Sequence, residues 1–248
     1  MLDCGYTGIQ QTLTAISNEG LIATGYIKDG ILQFADIKKN GFIIRFYGIT
    51  MLTNFSLLRK QRTYDIPLYS DTNSLKNLHL NRDGADCVIV SIHWGKEYSK
   101  SIKYLEKCAR LIESAGADCI VGHHQHVLAP IRRIVSSRNS EKIPVFYGLG
   151  NLLGNMDSRY WPGYSNAQKG SSRRSVLVSL TLKKDKDNKI SDVIKIHPVW
   201  IHNNLNEVIS KKEKVRKAYP VMLINPDNGT FYNSNMSNEI RYIQRDIQ

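Results

Sequence analysis

The run Asp86-Cys87-Val88-Ile89-Val90-Ser91-Ile92 constrains the fold of this chain more than any other stretch. Its apolar residues do not alternate with polar ones, so both faces need cover, as in a buried strand of a parallel sheet. A parallel strand needs a crossover, and one follows. Ile102, Leu105, Ala109 and Ile112 recur at helical spacing, Gly116 supplies a stop, and residues 118–121 begin a second apolar strand. The pattern predicts a βαβ unit and hence an α/β fold.

Around this unit, Ile9, Leu13 and Ile16 predict a helix over residues 5–20, and a short strand is expected at 21–25. Two strands, 30–35 and 41–47, are expected around a polar turn at 36–40, while 51–82 reads as polar and irregular. A third strand of the main sheet is expected at 144–149. Strands at 175–182 and 190–200 read as an antiparallel pair joined by the charged turn 183–189, with one more strand at 219–224 and a short helix at 237–247. No repeat or linker divides the chain, so a single domain spanning 1–248 is expected, with about 226–248 as a peripheral tail.

Composition excludes several classes. With 42% hydrophobic and 23% charged residues, the chain matches ordinary folded globular protein and not a disordered or fibrous one. No stretch approaches the roughly 18 consecutive apolar residues of a spanning helix. The start, Met1-Leu2-Asp3-Cys4-Gly5, has neither the basic nor the apolar region of a secretion signal. Cys4, Cys87, Cys108 and Cys119 form no CxxC pair and read as buried free thiols. The 34 basic residues against 22 acidic ones leave a net charge of +12, which suits an anionic partner. Nucleic acid is not expected, because the basic residues are scattered and not interleaved with aromatics.

Chemistry in open α/β sheets collects beyond the carboxyl ends of the strands. Three loops stand in that position: His93-Trp94-Gly95-Lys96-Glu97, Gly122-His123-His124-Gln125-His126 and Gly148-Leu149-Gly150-Asn151. Four of the chain's seven histidines lie in the first two. Imidazole is the commonest ligand of zinc and similar divalent ions. In an extended segment alternate side chains share a side, so His124 and His126 are expected to converge on one ion while His123 points away or supports it. Gly95 and Gly122 are expected to let the backbone turn tightly. His93 fits either a ligand or a hydrogen-bonded residue at a strand end. Glu97 fits a partner orienting His93, a general base or a surface carboxylate, and Asn151 fits a ligand or a loop former. His79, His197 and His202 read as ordinary.

These three loops, in this order and after these strands, resemble the bacterial capsule-synthesis CapA family of poly-γ-glutamate biosynthesis, whose corresponding motifs are HWGxE, GHHPH and SLGN. Asp3-Cys4-Gly5, residues 8–25 and 41–54, and Ile196-His197-Pro198-Val199-Trp200 extend the likeness over residues 1 to about 225. Gln125 stands where proline is usual and Gly148 where serine is usual. The resemblance implies a metallophosphatase-like four-layer α/β/β/α sandwich. The family's Gly-Asp strand, Asn-Leu-Glu segment and Asn-Asn-His motif lie upstream of the matched region, so the fold is expected to lack its N-terminal strand or strands and the site to be short of carboxylates.

The implied chemistry is metal-assisted hydrolysis of the phosphoesterase type with a divalent ion, zinc, manganese or iron. His93, His124 and His126 are the expected ligands, His93, Glu97 and His123 the catalytic groups, and Asp3 and Asn151 the supporting or substrate-contacting ones. An anionic polymer or a phosphate-containing small molecule is the implied substrate, and membrane-associated capsule machinery at the cell surface the implied setting. A non-catalytic polymer-binding or assembly role is the alternative.

Overall fold

The computed structural model describes residues 5–53, 66–160, 165–186, 190–223 and 234–248. It opens with helix α1 (Gly5–Asn18), in which Ile9 is buried and Leu13 and Ile16 are half-buried on the same face. The expected strand at 21–25 does not form. Leu21 and Ile22 are exposed, and the segment is held instead by the Thr24 hydroxyl, which donates to Gln33 O and accepts from Gly48 N.

Strands β1 (Ile27–Lys28) and β2 (Ile31–Leu32) form a small hairpin, followed by β3 (Phe34–Lys39) and β4 (Phe42–Thr50). Residues 36–39, expected as a turn, continue β3, and the chain reverses only at Asn40-Gly41, with Lys39 paired to Phe42. Both turn residues have positive φ, 51° and 76°, which asparagine and glycine adopt at little steric cost and which matches the twist of the flanking strands. The polar residues that suggested a loop are the outer residues of an edge strand.

After the single-turn helix α2 (Thr72–Leu75) come β5 (Cys87–His93), α3 (Lys103–Ser114) and β6 (Cys119–His123), the βαβ unit read from the sequence. Five residues of β5 are buried, and α3 buries Leu105, Cys108, Ala109 and Ile112. β4 and β5 are parallel, from Ile44 opposite Cys87 to Thr50 opposite His93. The register is locked by carboxylates just before two of the strands. Asp86 accepts from Ile43 N at 2.8 Å, and Asp118 accepts from Val88 N at 2.9 Å. Each amide–carboxylate bond is charge-assisted and ties one strand's start to its neighbour.

Strand β7 (Leu128–Val135), not foreseen, precedes β8 (Lys142–Leu149), and the six-stranded, mostly parallel sheet runs β3-β4-β5-β6-β8-β7. Cys87, Cys108 and Cys119 are buried free thiols, as expected, and Cys4 lies outside the described residues. The architecture is the mixed α/β class expected from the sequence.

By contacts the chain forms two compact units. The first comprises Met1–Trp94, Lys103–Gly122 and Arg133–Val145, and the second Gly95–Ile102, His123–Arg132 and Phe146–Gln248. The second contains a 3-10 helix (Ala167–Arg173), β9 (Arg174–Lys184), β10 (Ile190–Asn203), α4 (Leu205–Ile209), β11 (Ala218–Met222) and α5 (Ser234–Ile247). Its sheet runs β11-β10-β9, with both pairings antiparallel. The closing segment, expected as a peripheral tail, carries in α5 the fully buried Ile243, which packs with Leu128, Tyr160, Val176, Trp200 and Leu223. No helix among the described residues is long and apolar enough to cross a membrane.

A buried ion pair anchors α5. Arg174 Nε donates to Glu239 Oε2 at 2.7 Å with both side chains 1% exposed, and the Tyr160 hydroxyl donates to Glu239 Oε1 at 2.5 Å. Burial and donation to Glu239 push the Tyr160 phenol well above its ordinary range. Removing one member leaves the other charge buried and unpaired, so Glu239→Ala is expected to lower unfolding free energy by about 3–5 kcal/mol. The double replacement Arg174→Met with Glu239→Leu is expected to cost less than Glu239→Ala, and urea denaturation of the three proteins checks the order.

Candidate metal centre

The loop after β6 carries His124, Gln125 and His126 through a sharp reversal. Gly122, expected to supply the turn, lies within β6 and is absent from the glycines with positive φ. The left-handed conformations fall on the histidines themselves, with φ of 103° at His124 and 57° at His126. An L-residue there costs about 1–2 kcal/mol, so the turn has to be held. The two rings therefore meet, centroids 6.2 Å apart, through a left-handed bend and not through strand alternation.

Asn151 is the principal restraint. Its Nδ2 donates to His126 O at 3.1 Å and to Ser172 O at 2.9 Å, which uses both amide protons. Its Oδ1, 2.8 Å from His126 Nδ1, is then the acceptor, and His126 is the Nδ1-protonated tautomer. That leaves the Nε2 lone pair of His126 available to a ligand. Histidine ligands are held in this manner when the second ring nitrogen is fixed by a polar neighbour.

Glu97 completes the group. One ligand atom each of Glu97, His124 and His126 lies within 4.8 Å of the other two, and all three residues belong to the second unit. Tyr98 follows Glu97 with φ of 58°, donates its N–H to Gln125 O at 2.7 Å, and places its ring 6.0 Å from that of His126. Three of the eight non-glycine residues with positive φ among the described residues, Tyr98, His124 and His126, thus fall in one site. Backbone strain of this kind concentrates where surrounding structure holds a geometry for function.

Two imidazoles and one carboxylate are a donor set that suits a zinc ion or a non-haem iron ion with coordination positions left open. The residues therefore fit a divalent cation. Burial lowers the pKa of His124 from its usual 6.5, opposed by the Glu97 charge and assisted by His126. Burial alone lowers His123, whose surface nevertheless stays partly open to solvent. Both imidazoles are accordingly neutral at pH 7.

The other candidates are placed as follows. His93, at the end of β5 in the first unit, is not a member of the trio, and its Nδ1 lies 3.3 Å from Thr50 Oγ1. Glu97, expected as a catalytic or supporting group, instead lies in the trio and offers its third ligand atom. Asp3 lies outside the described residues. Tyr98 and the side chain of Gln125 are site elements that the sequence does not signal, because nothing in the composition of the loops announces a left-handed backbone.

With this geometry established, comparison with known proteins identifies its class. The family model described as bacterial capsule synthesis protein PGA_cap matches residues 1–156, and the chain belongs to that family. It is 27% identical over 221 residues to the PGA biosynthesis protein CapA of Bacillus subtilis (strain 168), covering 88% of this chain and 53% of that protein. It is 31% identical over 165 residues to the capsule biosynthesis protein CapA of Bacillus anthracis, covering 62% of this chain and 38% of that protein. The chain thus spans about half or less of the length of these relatives. A crystal structure of a hypothetical protein from Thermus thermophilus is similar at a TM-score of 0.40 and 14% identity, over 75% of this chain and 71% of that one.

Two outcomes are expected. Replacing Asn151 by alanine frees the His126 ring, and divalent-cation affinity measured by chelator competition should fall about 10–100-fold. The second concerns pH. His123, His124 and His202 all have folded pKa values below the ordinary 6.5, in each case chiefly through burial. The unfolded chain therefore binds more protons below that pH. The penalty is absent at higher pH, grows as pH falls from there towards the folded values, and then levels off. Urea midpoints should accordingly be lower at about pH 5.5 than at neutrality in the metal-free protein.

Proposed function

We propose that Glu97, His124 and His126 hold a divalent cation and that this chain contributes a metal-dependent hydrolase site of the phosphoesterase type to capsule or poly-γ-glutamate biosynthesis. The observation that carries the reading is the convergence of three ligand atoms within 4.8 Å, with His126 pre-set by Asn151 to offer Nε2. Family membership and the CapA relatives supply the biosynthetic setting. A bound divalent cation supplies a Lewis acid for a phosphoryl or amide oxygen and lowers the pKa of an attached water.

The chain's own residues do the rest. Asn151 keeps the His126 ring from rotating, so no reorientation is needed when a ligand arrives. His123, exposed at the end of β6 and with its pKa lowered below the ordinary value by desolvation, is suited to accept a proton at a ring nitrogen and return it to a leaving group. The net charge of +12 favours an anionic substrate, either a polymer or a phosphate-containing small molecule, over a neutral one. A setting at the cell surface with membrane-associated capsule machinery accords with the family, and nucleic acid has no place in this reading.

The same positive charge supports a second reading, a non-catalytic component that binds polymer or assists assembly. Metal content and hydrolysis of a chromogenic phosphodiester, with and without EDTA, separate the two. In the hydrolase reading the purified chain contains a stoichiometric divalent metal, and chelation abolishes turnover. His124→Ala and Glu97→Ala then each lower kcat by about 10²-fold or more, comparable to loss of a general catalytic group. Turnover indifferent to EDTA would remove the metal mechanism. Polyglutamate binding that survives alanine at His124 and His126 favours the second reading, and His93→Ala tests the sequence-based expectation for that residue independently.

A further inference from the structure

The geometry points to Gln125 as the residue that sets the spacing and ring orientation of the His124–His126 pair, seated in a slot that Gly95 and Gly148 leave open. The inference rests on the reading of Glu97, His124 and His126 as a cation site, and adds to it a positioning residue that contributes no ligand atom itself.

Gln125 lies between the two histidines, and its side chain turns away from solvent, with the residue 1% exposed. Its Nε2 donates to Tyr147 O at 2.9 Å in β8, and its backbone carbonyl accepts from Tyr98 N at 2.7 Å, beside Glu97. One residue thus links the histidine loop to the strand that leads to Asn151 and to the loop that carries Glu97. On either side of it the backbone is left-handed. Such a bend relaxes toward ordinary φ unless its apex is tied, and Gln125 is the apex.

The slot explains why this side chain fits. A Cβ on Gly95 would come 3.2 Å from Gln125 Nε2 and 3.4 Å from its Cδ and Cγ. A Cβ on Gly148 would come 3.1 Å from Gln125 Oε1, 3.2 Å from Val127 O and 3.3 Å from Ala129 Cβ. The amide therefore fills the room that these two residues, one in the loop after β5 and one in β8, would need for side chains. Its Oε1 is buried without a hydrogen-bond partner among the described residues. An unpaired buried acceptor is destabilising, a cost that an apolar residue of the same length would avoid. Stability alone does not favour glutamine here; the single directed bond to Tyr147 O does.

The test uses the full chain and four variants: Gln125→Met, which keeps the length and loses the donor; Gly148→Ala, which leaves the glutamine and fills its slot; Gln125→Ala; and Gln125→Ala combined with Gly148→Ala. The probes are Co²⁺ affinity by chelator competition, the visible absorption of bound Co²⁺, and the ring nitrogen shifts of His124 and His126 by NMR in metal-free protein. Circular dichroism confirms folding. Gln125→Met and Gly148→Ala are each expected to weaken Co²⁺ binding about 10–100-fold, to alter its spectrum, and to abolish the single Nδ1-protonated state of His126. Adding Gly148→Ala to Gln125→Ala should cost less than Gly148→Ala costs alone, because the methyl then no longer meets the amide and only its contacts with Val127 O and Ala129 Cβ remain.

Unchanged affinity, spectrum and ring shifts in Gln125→Met overturn the assignment, as does strict additivity of the two alanine changes. If Gln125→Met does not fold, Gly148→Ala decides by the same readouts. If the parent chain takes up no Co²⁺, the cation reading fails by itself, and the metal-free ring shifts alone decide the role of Gln125: altered shifts support it and unaltered shifts overturn it.

Discussion

The arrangement of the site depends on two histidines held with left-handed backbone on either side of a buried glutamine. Neither conformation is favourable for an L-residue with a bulky side chain. What offsets the cost is a set of directed bonds: Asn151 to both the ring and the carbonyl of His126, Tyr98 N to Gln125 O, and Gln125 Nε2 to Tyr147 O. In an extended strand, residues two apart share a side but are held apart by the pleat. The bend instead turns the two rings toward each other and brings a carboxylate into the same space. The preference for one tautomer of His126 follows from the same bonds, because Asn151 has no proton left to give.

The first unit's sheet is built by ordinary means. β5 and β6 are apolar enough to be buried on both faces, and the aspartates before them cap the amides of their neighbours. A slip of register would leave these carboxylates unpaired and turn every side chain of the strand to the opposite face.

The parts of this design visible in the sequence are those governed by hydrophobic periodicity. The unalternating run of β5, the helical spacing of Leu105, Ala109 and Ile112, and the paired β9 and β10 were all legible, because burial leaves a pattern in residue type. β7 was not, since Pro130 and the Arg132-Arg133 pair interrupt the alternation that marks a strand. The turn before β4 was misplaced for a related reason: Lys38 and Lys39 are exposed on an edge strand, where charge discourages pairing with another chain and looks like a loop. At the site, the residue types announced imidazole chemistry and a nearby carboxylate. They did not announce which of them meet, because that is decided by φ at His124 and His126, and no histidine carries a mark of its backbone conformation.

The donor set also bears on the kind of ligand the proposed site would accept. Two imidazoles of the trio are neutral ligands and the carboxylate is singly charged, so a divalent cation held there keeps net positive charge. Such a centre attracts a phosphoryl group or a polymer carboxylate, and the excess of basic residues in the chain acts in the same direction over longer range. Attraction alone does not make a catalyst. Hydrolysis also requires a ligand position open to water and a neutral base, and in the proposed reading the lowered pKa of His123 suits its imidazole to that part. The hydrolase and polymer-binding readings therefore share one electrostatic origin and part only at the proton-transfer step, where an imidazole that stays neutral serves the first and is superfluous to the second.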